Sequence, residues 1–392
     1  MKEIILKKGK EESLQRRHPW VFSGAIARTP SSIEEGERVE VRSFDGTLLG
    51  RGHYQIGSIT VRMLTLGSEP LSDSLYEERL RNAFALRKAL GLIRPDNNCF
   101  RLVHGEGDFL PGLVVDIYGD TAVMQAHSPG MHKDRTLIAD ALVALPEARI
   151  RNVYYKSETT LPFMARLDPQ NGYLIGRYED NIAIENGLQF GIDWLKGQKT
   201  GFFLDQRDNR ALLERYAAGR DVLNMFCYTG GFSVYALRGG AKRVVSVDSS
   251  SKAIALTEAN VALNFPDGAA HEAVATDAFK FLDGIGDGEY DLIVLDPPAF
   301  AKHKSALKNG LVGYRRLNAK AFEKIRPGGI LFTFSCSQVV SREAFRLAVF
   351  SAAVQAGRRV RILHQLTQPA DHPVDIAHPE GEYLKGLVLS VE

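Results

Sequence analysis

The sequence predicts an α/β protein whose C-terminal half is a doubly wound parallel sheet. Two observations carry this. From about Asn186 the apolar runs "DVLNMFC", "RVVSVD", "DLIVLD" and "ILFTFSC" recur with helix-like segments between most of them, the pattern of βαβ units whose strands are buried on both faces. Before Asn186 the texture differs: short β-like runs are broken by turn chemistry, as in smaller modules. The length of 392 residues fits two to three domains, and 44% hydrophobic with 24% charged residues is ordinary for a globular chain.

Taken in order, "RVEVRS", "TLLGRGHY" and "SITVRML" make residues 1–70 a small β module. Next, "LYEERLRNAFALRKALGL" places apolar residues at helical spacing, with Ser74 and Glu77 set for a capping box. The strand candidates "GLVVDIYGD", "TAVMQAH", "NVYYKS" and "NIAIEN", with a helix around "KDRTLIADALVAL", make residues 71–185 a mixed α+β module. Residues 186–392 form the α/β domain, and "EYLKGLVLSVE" supplies its last strand after the turn-rich "QPADHPVDIAHPEGE".

Composition narrows the function classes. Lys plus Arg exceed Asp plus Glu by 49 to 47, so a nucleic-acid surface has to be a local patch. The three cysteines, Cys99, Cys227 and Cys336, form no C-x-x-C pair, which argues against a disulfide framework or a cysteine zinc site and for a reducing compartment. The start "MKEIILKKGK" has too short an apolar core for a leader peptide, and no run approaches the roughly 18 apolar residues of a membrane helix. A cytoplasmic protein without membrane contact is expected. His364, His372 and His378, with Asp371 and Asp375, lack helical H-x-x-x-H spacing and sit among prolines, so no metal site is expected.

The first strand of the α/β half runs into "YTGGFS", where glycines at a strand-to-helix turn let backbone N–H groups approach a nucleotide-like ligand. The second ends in Asp248, about 20 residues on, where a carboxylate can accept from both ribose hydroxyls. A solvated glycine turn and an N-cap aspartate are the bland alternative. "ATDAF" places Asp277 ahead of a helix. "LIVLDPPAF" delivers Asp296 and two prolines to the carboxyl edge of the sheet, where open α/β sheets bind ligands. A helix N-cap would be the ordinary role of such an aspartate.

"NMFCYTGGFS", "VSVDSS", "ATDAF" and "DPPAF", in this order and spacing, resemble the motifs of class I S-adenosylmethionine-dependent methyltransferases. "GQKTGFFLDQRDNR" upstream, "FSCSQ" and "ADHPV" narrow the resemblance to bacterial 23S rRNA 5-methylcytosine methyltransferases of the large-subunit methyltransferase I type. It covers nearly the whole chain: "RRHPWVFSGAI" looks like that family's N-terminal PUA domain, an RNA-binding β barrel, and the second module is similar to its central domain. The resemblance implies a Rossmann-like fold, S-adenosyl-L-methionine as cofactor and 23S rRNA as partner. It assigns Phe203, Asp205, Gln206 and Arg207 to the methionine end of the cofactor, and Asn224, Phe226, Gly230 and Phe232 to the glycine turn. Asp248 and Ser249 fall to the ribose, Asp277 and Ala278 to the adenine edge, and Asp296 to the reacting end. Asn224 departs from the acidic residue that many class I enzymes carry there. Whether the chain forms a homodimer is left open.

Methylating carbon 5 of a cytosine needs an activated ring, and thiolate addition at carbon 6 makes that carbon nucleophilic. A free thiol, with a pKa of about 8.5, is the best side chain for this addition. Cys336 follows the strand "ILFTF" and so belongs at the same sheet edge as Asp296, which would neutralise charge on the adduct. A cysteine in a strand otherwise packs as a small hydrophobe, the reading kept for Cys99 and Cys227. Related enzymes carry a second cysteine beside the proline motif. Pro298 and Ala299 stand there in this chain, which implies a one-cysteine mechanism. Lys302, Lys304, Lys308, Arg315 and Arg316 around Tyr314 are placed to grip phosphates while a base is flipped, and Arg16 and Arg17 in "RRHPW" add a second basic surface. Two rival readings remain: methylation of a purine nitrogen, which would make Cys336 dispensable, and a non-catalytic RNA-binding assembly factor.

Overall fold

The computed structural model describes residues 1–178 and 180–392. They divide into two compact units: Met1–Asn186 with Ile192–Leu204 and Ala370–Gly381, and Gly187–Gly191 with Asp205–Pro369 and Glu382–Glu392. The first two expected modules thus share one unit, and the turn-rich tail around Asp371 belongs with them rather than with the α/β sheet.

In the first unit β1 (Lys2–Leu6), α1 (Glu12–Gln15), β2 (Trp20–Phe22), β3 (Ile26–Arg28), β4 (Arg38–Arg42), β5 (Leu48–Tyr54) and β6 (Ile59–Leu66) build a sheet of order β2-β6-β5-β4-β1-β3. Alternation in "RVEVR" turns Val39 and Val41 inward, where they meet Ile4, Leu6, Val21, Val61 and Met63. The helix α2 (Leu75–Ala89) follows, but its capping box does not form: the Ser74 hydroxyl bonds the Glu78 carboxylate, one residue beyond Glu77, and caps no backbone N–H. The second sheet has the order β11-β10-β9-β8-β7, from β7 (Cys99–His104), β8 (Leu113–Tyr118), β9 (Thr121–Ala126), β10 (Asn152–Tyr155) and β11 (Gly172–Ile175). Around it lie α3 (Pro129–Lys133), α4 (Arg135–Val143) and the strand β12 (Ile182–Glu185). The tail is stitched in by Asp371, fully buried, which accepts from Arg101 N at 2.9 Å while its carbonyl accepts from the buried Arg87 at 2.8 Å.

The second unit begins with β13 (Leu188–Gly191) and α5 (Arg207–Ala217), and continues through β14 (Asp221–Met225), α6 (Gly231–Arg238), β15 (Arg243–Asp248), α7 (Ser251–Asn264) and β16 (His271–Ala275). Next come α8 (Ala278–Gly284), β17 (Tyr290–Leu295), α9 (Leu307–Lys324), β18 (Ile325–Ser335), α10 (Arg342–Gln355), β19 (Val360–Thr367) and β20 (Lys385–Val391). Among the described residues the sheet has seven strands in the order β16-β15-β14-β17-β18-β20-β19. The strands from β14 to β18 run parallel, and β20 lies antiparallel to both β18 and β19.

Continuous apolar runs suit this sheet because both faces are covered. Leu223, Ile293 and Leu331 pack on one side with Tyr314, Leu317 and Phe322 of α9, while Val222, Leu292 and Phe332 pack on the other with Leu213 of α5 and Ala236 of α6. The strand order reverses at β14, so the loops after β14, β15, β17 and β18 converge on one edge, the switch point where such sheets bind ligands. The strand β19 was not anticipated from the sequence. Most of its side chains are exposed or half-buried, so it carries no strong alternation.

Candidate active site

The turn between β14 and α6 is built for close approach. Phe226 and Tyr228 hold φ of 58° and 48°, and Gly230 has φ 76°. Non-glycine residues in the left-handed region are strained and persist only where the surroundings hold them. Here Tyr228 N donates to Asp248 Oδ2 at 3.1 Å, Thr257 Oγ1 donates to Tyr228 O at 2.9 Å, and Asn260 Nδ2 donates to Thr229 O at 2.8 Å. A Cβ at Gly230 would lie 2.6 Å from Thr257 Cγ2. Thr257 and Asn260, from the buried face of α7, are holding residues that sequence reasoning missed.

Asp248 also accepts from Ser250 N at 2.9 Å, so its carboxylate is fixed at the end of β15; Ser250, not Asp248, caps α7. Ser249 is exposed. Asp277 caps α8 by accepting from Lys280 N at 3.0 Å, beside a buried Ala278. Asn224 is buried and donates to Ser233 Oγ at 2.8 Å, while its Oδ1 has no hydrogen-bond partner. Phe226 is half-buried, but Phe232 is core: it is 6% exposed and its ring lies 5.7 Å from that of Phe334.

At the neighbouring strand ends, Asp296 follows β17 and Cys336 follows β18, in a register that pairs Leu295 with Thr333. Cys336 is half-buried, with Sγ 3.9 Å from Pro297 O. The Asp296 carboxyl is pushed up to about 7, by burial first and then by the Asp205 carboxylate, against a Gln206 hydrogen bond and the Arg210 charge. It therefore exchanges its proton near neutrality, as a group that neutralises developing charge should. Asp205 is held by Tyr383, whose OH donates to Oδ2 at 2.7 Å, while Oδ1 has no hydrogen-bond partner. Gln206 and Arg207 are buried at the start of α5. Phe203 belongs to the first unit, two residues before the chain passes to the second. Cys227 is buried, its thiol pushed up to about 12, and Cys99 is buried in the first unit. Neither is poised as a nucleophile.

Lys302, Lys304, Lys308, Arg315 and Arg316 are all exposed on the segment leading into α9 and on its outer face. Tyr314, grouped with them on the sequence, is fully buried and bonds Ser337 Oγ at 2.9 Å. Arg16 and Arg17 are exposed in the first unit, with Arg16 paired to Glu12. Among the described residues one cluster of three histidine and carboxylate groups forms, from His18, His378 and Glu380 rather than from His364, His372 and His378 with Asp371 and Asp375. Trp20 N donates to His18 Nδ1 at 3.2 Å, and His18 Nε2 lies 3.4 Å from the Glu380 carboxylate.

The residues fit S-adenosylmethionine. Two buried acceptors without partners, Asp205 Oδ1 and Asn224 Oδ1, suit an ammonium group, and the buried Arg207 suits a carboxylate. Asp248 at the end of β15 suits ribose hydroxyls. A strained glycine turn, a carboxylate at the second strand and an acid at the fourth, on this strand order, define a class I methyltransferase. Residues 156–381 match the family model described as S-adenosylmethionine-dependent methyltransferase, and residues 4–66 match a PUA-like domain. The cofactor is S-adenosylmethionine. The chain is 42% identical to the ribosomal RNA large subunit methyltransferase I of Tolumonas auensis, with 98% of both chains covered. It is also 42% identical to that of Aeromonas hydrophila, again over 98% of both. The chain belongs to the ribosomal RNA large subunit methyltransferase I family. A Streptococcus mutans protein of solved structure has the same fold, with TM-score 0.83 and 23% identity over 100% of both chains.

Proposed function

We propose that the protein methylates carbon 5 of a cytosine in 23S rRNA through a covalent adduct with Cys336. The observation that carries the reading is the pairing of a half-buried thiol beside Pro297 with an Asp296 carboxyl near neutrality at adjoining strand ends. The relatives' name, ribosomal RNA large subunit methyltransferase, and the PUA-like match support rRNA as the substrate.

The Cys336 thiolate adds to carbon 6 of the ring, forming the S–C bond. Protonated Asp296 donates a hydrogen bond to the ring as charge develops there. Bound S-adenosylmethionine supplies an electrophilic methyl group for carbon 5. The carbon 5 proton then leaves to water, its electron pair re-forms the bond between carbons 5 and 6, and the S–C pair returns to sulfur, which restores the aromatic ring and frees the Cys336 thiolate. The exposed cations from Lys302 to Arg316 hold the phosphates of the extruded strand.

The test is transfer of labelled methyl to unmodified 23S rRNA, wild type beside Cys336→Ala, with the product nucleoside identified by mass spectrometry. The expected outcome is 5-methylcytosine from the wild type and a loss of at least about a thousandfold in the variant. A methylated purine, or an active variant, would overturn the adduct. No transfer to any RNA would favour an assembly role.

A further inference from the structure

Beside β18 runs β20, with Ser335 opposite Lys385. Lys385 is 6% exposed, and its ammonium donates to Ser337 O and Val340 O, both at 2.6 Å. Those carbonyls bracket the turn that follows Cys336, so a single cation clamps the loop that carries the thiol. Two carbonyls satisfy two of the three N–H donors but supply no negative charge, and a buried ammonium is costly without one. Burial lowers the Lys385 pKa to about 8; Cys336 opposes this most strongly and Glu382 more weakly, while repulsion from Arg342 adds to the lowering. Tyr314 faces Cys336 from α9, but burial pushes its phenol up, so it stays neutral.

We propose that Lys385 is a positioning residue for Cys336: its buried ammonium fixes the Ser337–Val340 turn and stabilises the thiolate. This rests on Cys336 being the attacking group. The thiol proton leaves to solvent and the lysine keeps its own, so the clamp is charged when the nucleophile forms. Arginine would carry the charge without the same reach; methionine would fill the space without the charge.

The experiment is alkylation of the full chain by iodoacetamide between pH 5.5 and 10, without RNA or cofactor, with Cys336 followed by peptide mass spectrometry. Each rate is normalised to its high-pH plateau. At pH 7 wild-type Cys336 should react about tenfold faster than the thiol of a free peptide of residues 331–340. Lys385→Met should remove most of that advantage, and Lys385→Arg should restore it to within about threefold. A purely structural lysine would leave the profile unmoved, so an unchanged Lys385→Met profile with Cys99 and Cys227 still protected overturns the proposal. Should Lys385→Met expose those buried thiols, the wild type decides alone: a rate at pH 7 no higher than the peptide's also overturns it. Because no RNA is present, failure here is distinct from failure of the adduct reading, which appears as a methylated purine or as methyl transfer by Cys336→Ala.

Discussion

The carboxyl of Asp296 sits where desolvation and the Asp205 carboxylate both favour its neutral form. Its folded-state pKa of about 7 lies above that of an unfolded aspartate, about 3.9. The folded state therefore holds a proton that the unfolded chain releases, and stability falls as pH rises from about 4 to about 7. Asp296→Asn lacks this slope. Between pH 5 and pH 8 the variant should gain on the order of 1–3 kcal/mol relative to wild type, read from urea midpoints at the two pH values. The proposed adduct mechanism calls for a protonated Asp296 and a thiolate Cys336 together, so it predicts a kcat/KM that is bell-shaped in pH and an alkaline limb that Asp296→Asn flattens. Asp296 and Cys336 were legible as candidates because each ends an apolar strand. The partners that tune them were not: Tyr383 lies 178 residues from Asp205, and Lys385 lies 48 from Ser337.

At the scale of elements, the turn from β14 into α6 is the most constrained part of the site. Gly230 was legible as a turn glycine, but the reason for it is α7, whose Thr257 leaves no space for a Cβ. Gly230→Ala adds that clash to a left-handed φ and should cost about 1–3 kcal/mol, with a loss of S-adenosylhomocysteine affinity of at least about tenfold by calorimetry. Unchanged affinity would remove this turn from the cofactor site. The strand pair β18 and β20 shows the converse. The run "KGLVLSV" announces a strand, but only the antiparallel register puts its lysine beside the loop after Cys336. Tyr314 makes the same point: period and charge grouped it with the exposed cations, whereas the turn of α9 directs it into the core.

At the scale of the whole molecule, the tail residues 370–381 fold with the first unit although they lie in the C-terminal part of the sequence. Asp371 holds them there through Arg101 and the buried Arg87, which also pairs with Asp108. Asp371→Ala should destabilise the first unit by roughly 1–3 kcal/mol, because the Arg101 amide loses its charged acceptor while Arg87 keeps the residue-371 carbonyl. Hydrogen exchange should report it as lost protection in β7, at the Arg101 amide above all, while β14 and β17 keep theirs. Equal loss in both units would show a single cooperative unit instead.

By itself the sequence determined the α/β class, the strand ends that carry Gly230, Asp248, Asp296 and Cys336, and the family, because hydrophobic period and short motifs are local properties of the chain. Only the tertiary structure decided which groups meet those residues: Asp205 near Asp296, Thr257 under Gly230, Lys385 beside the Cys336 loop and Asp371 in the first unit. These pairings join residues distant along the chain, and their energies depend on burial and register, which arise when strands and helices pack together.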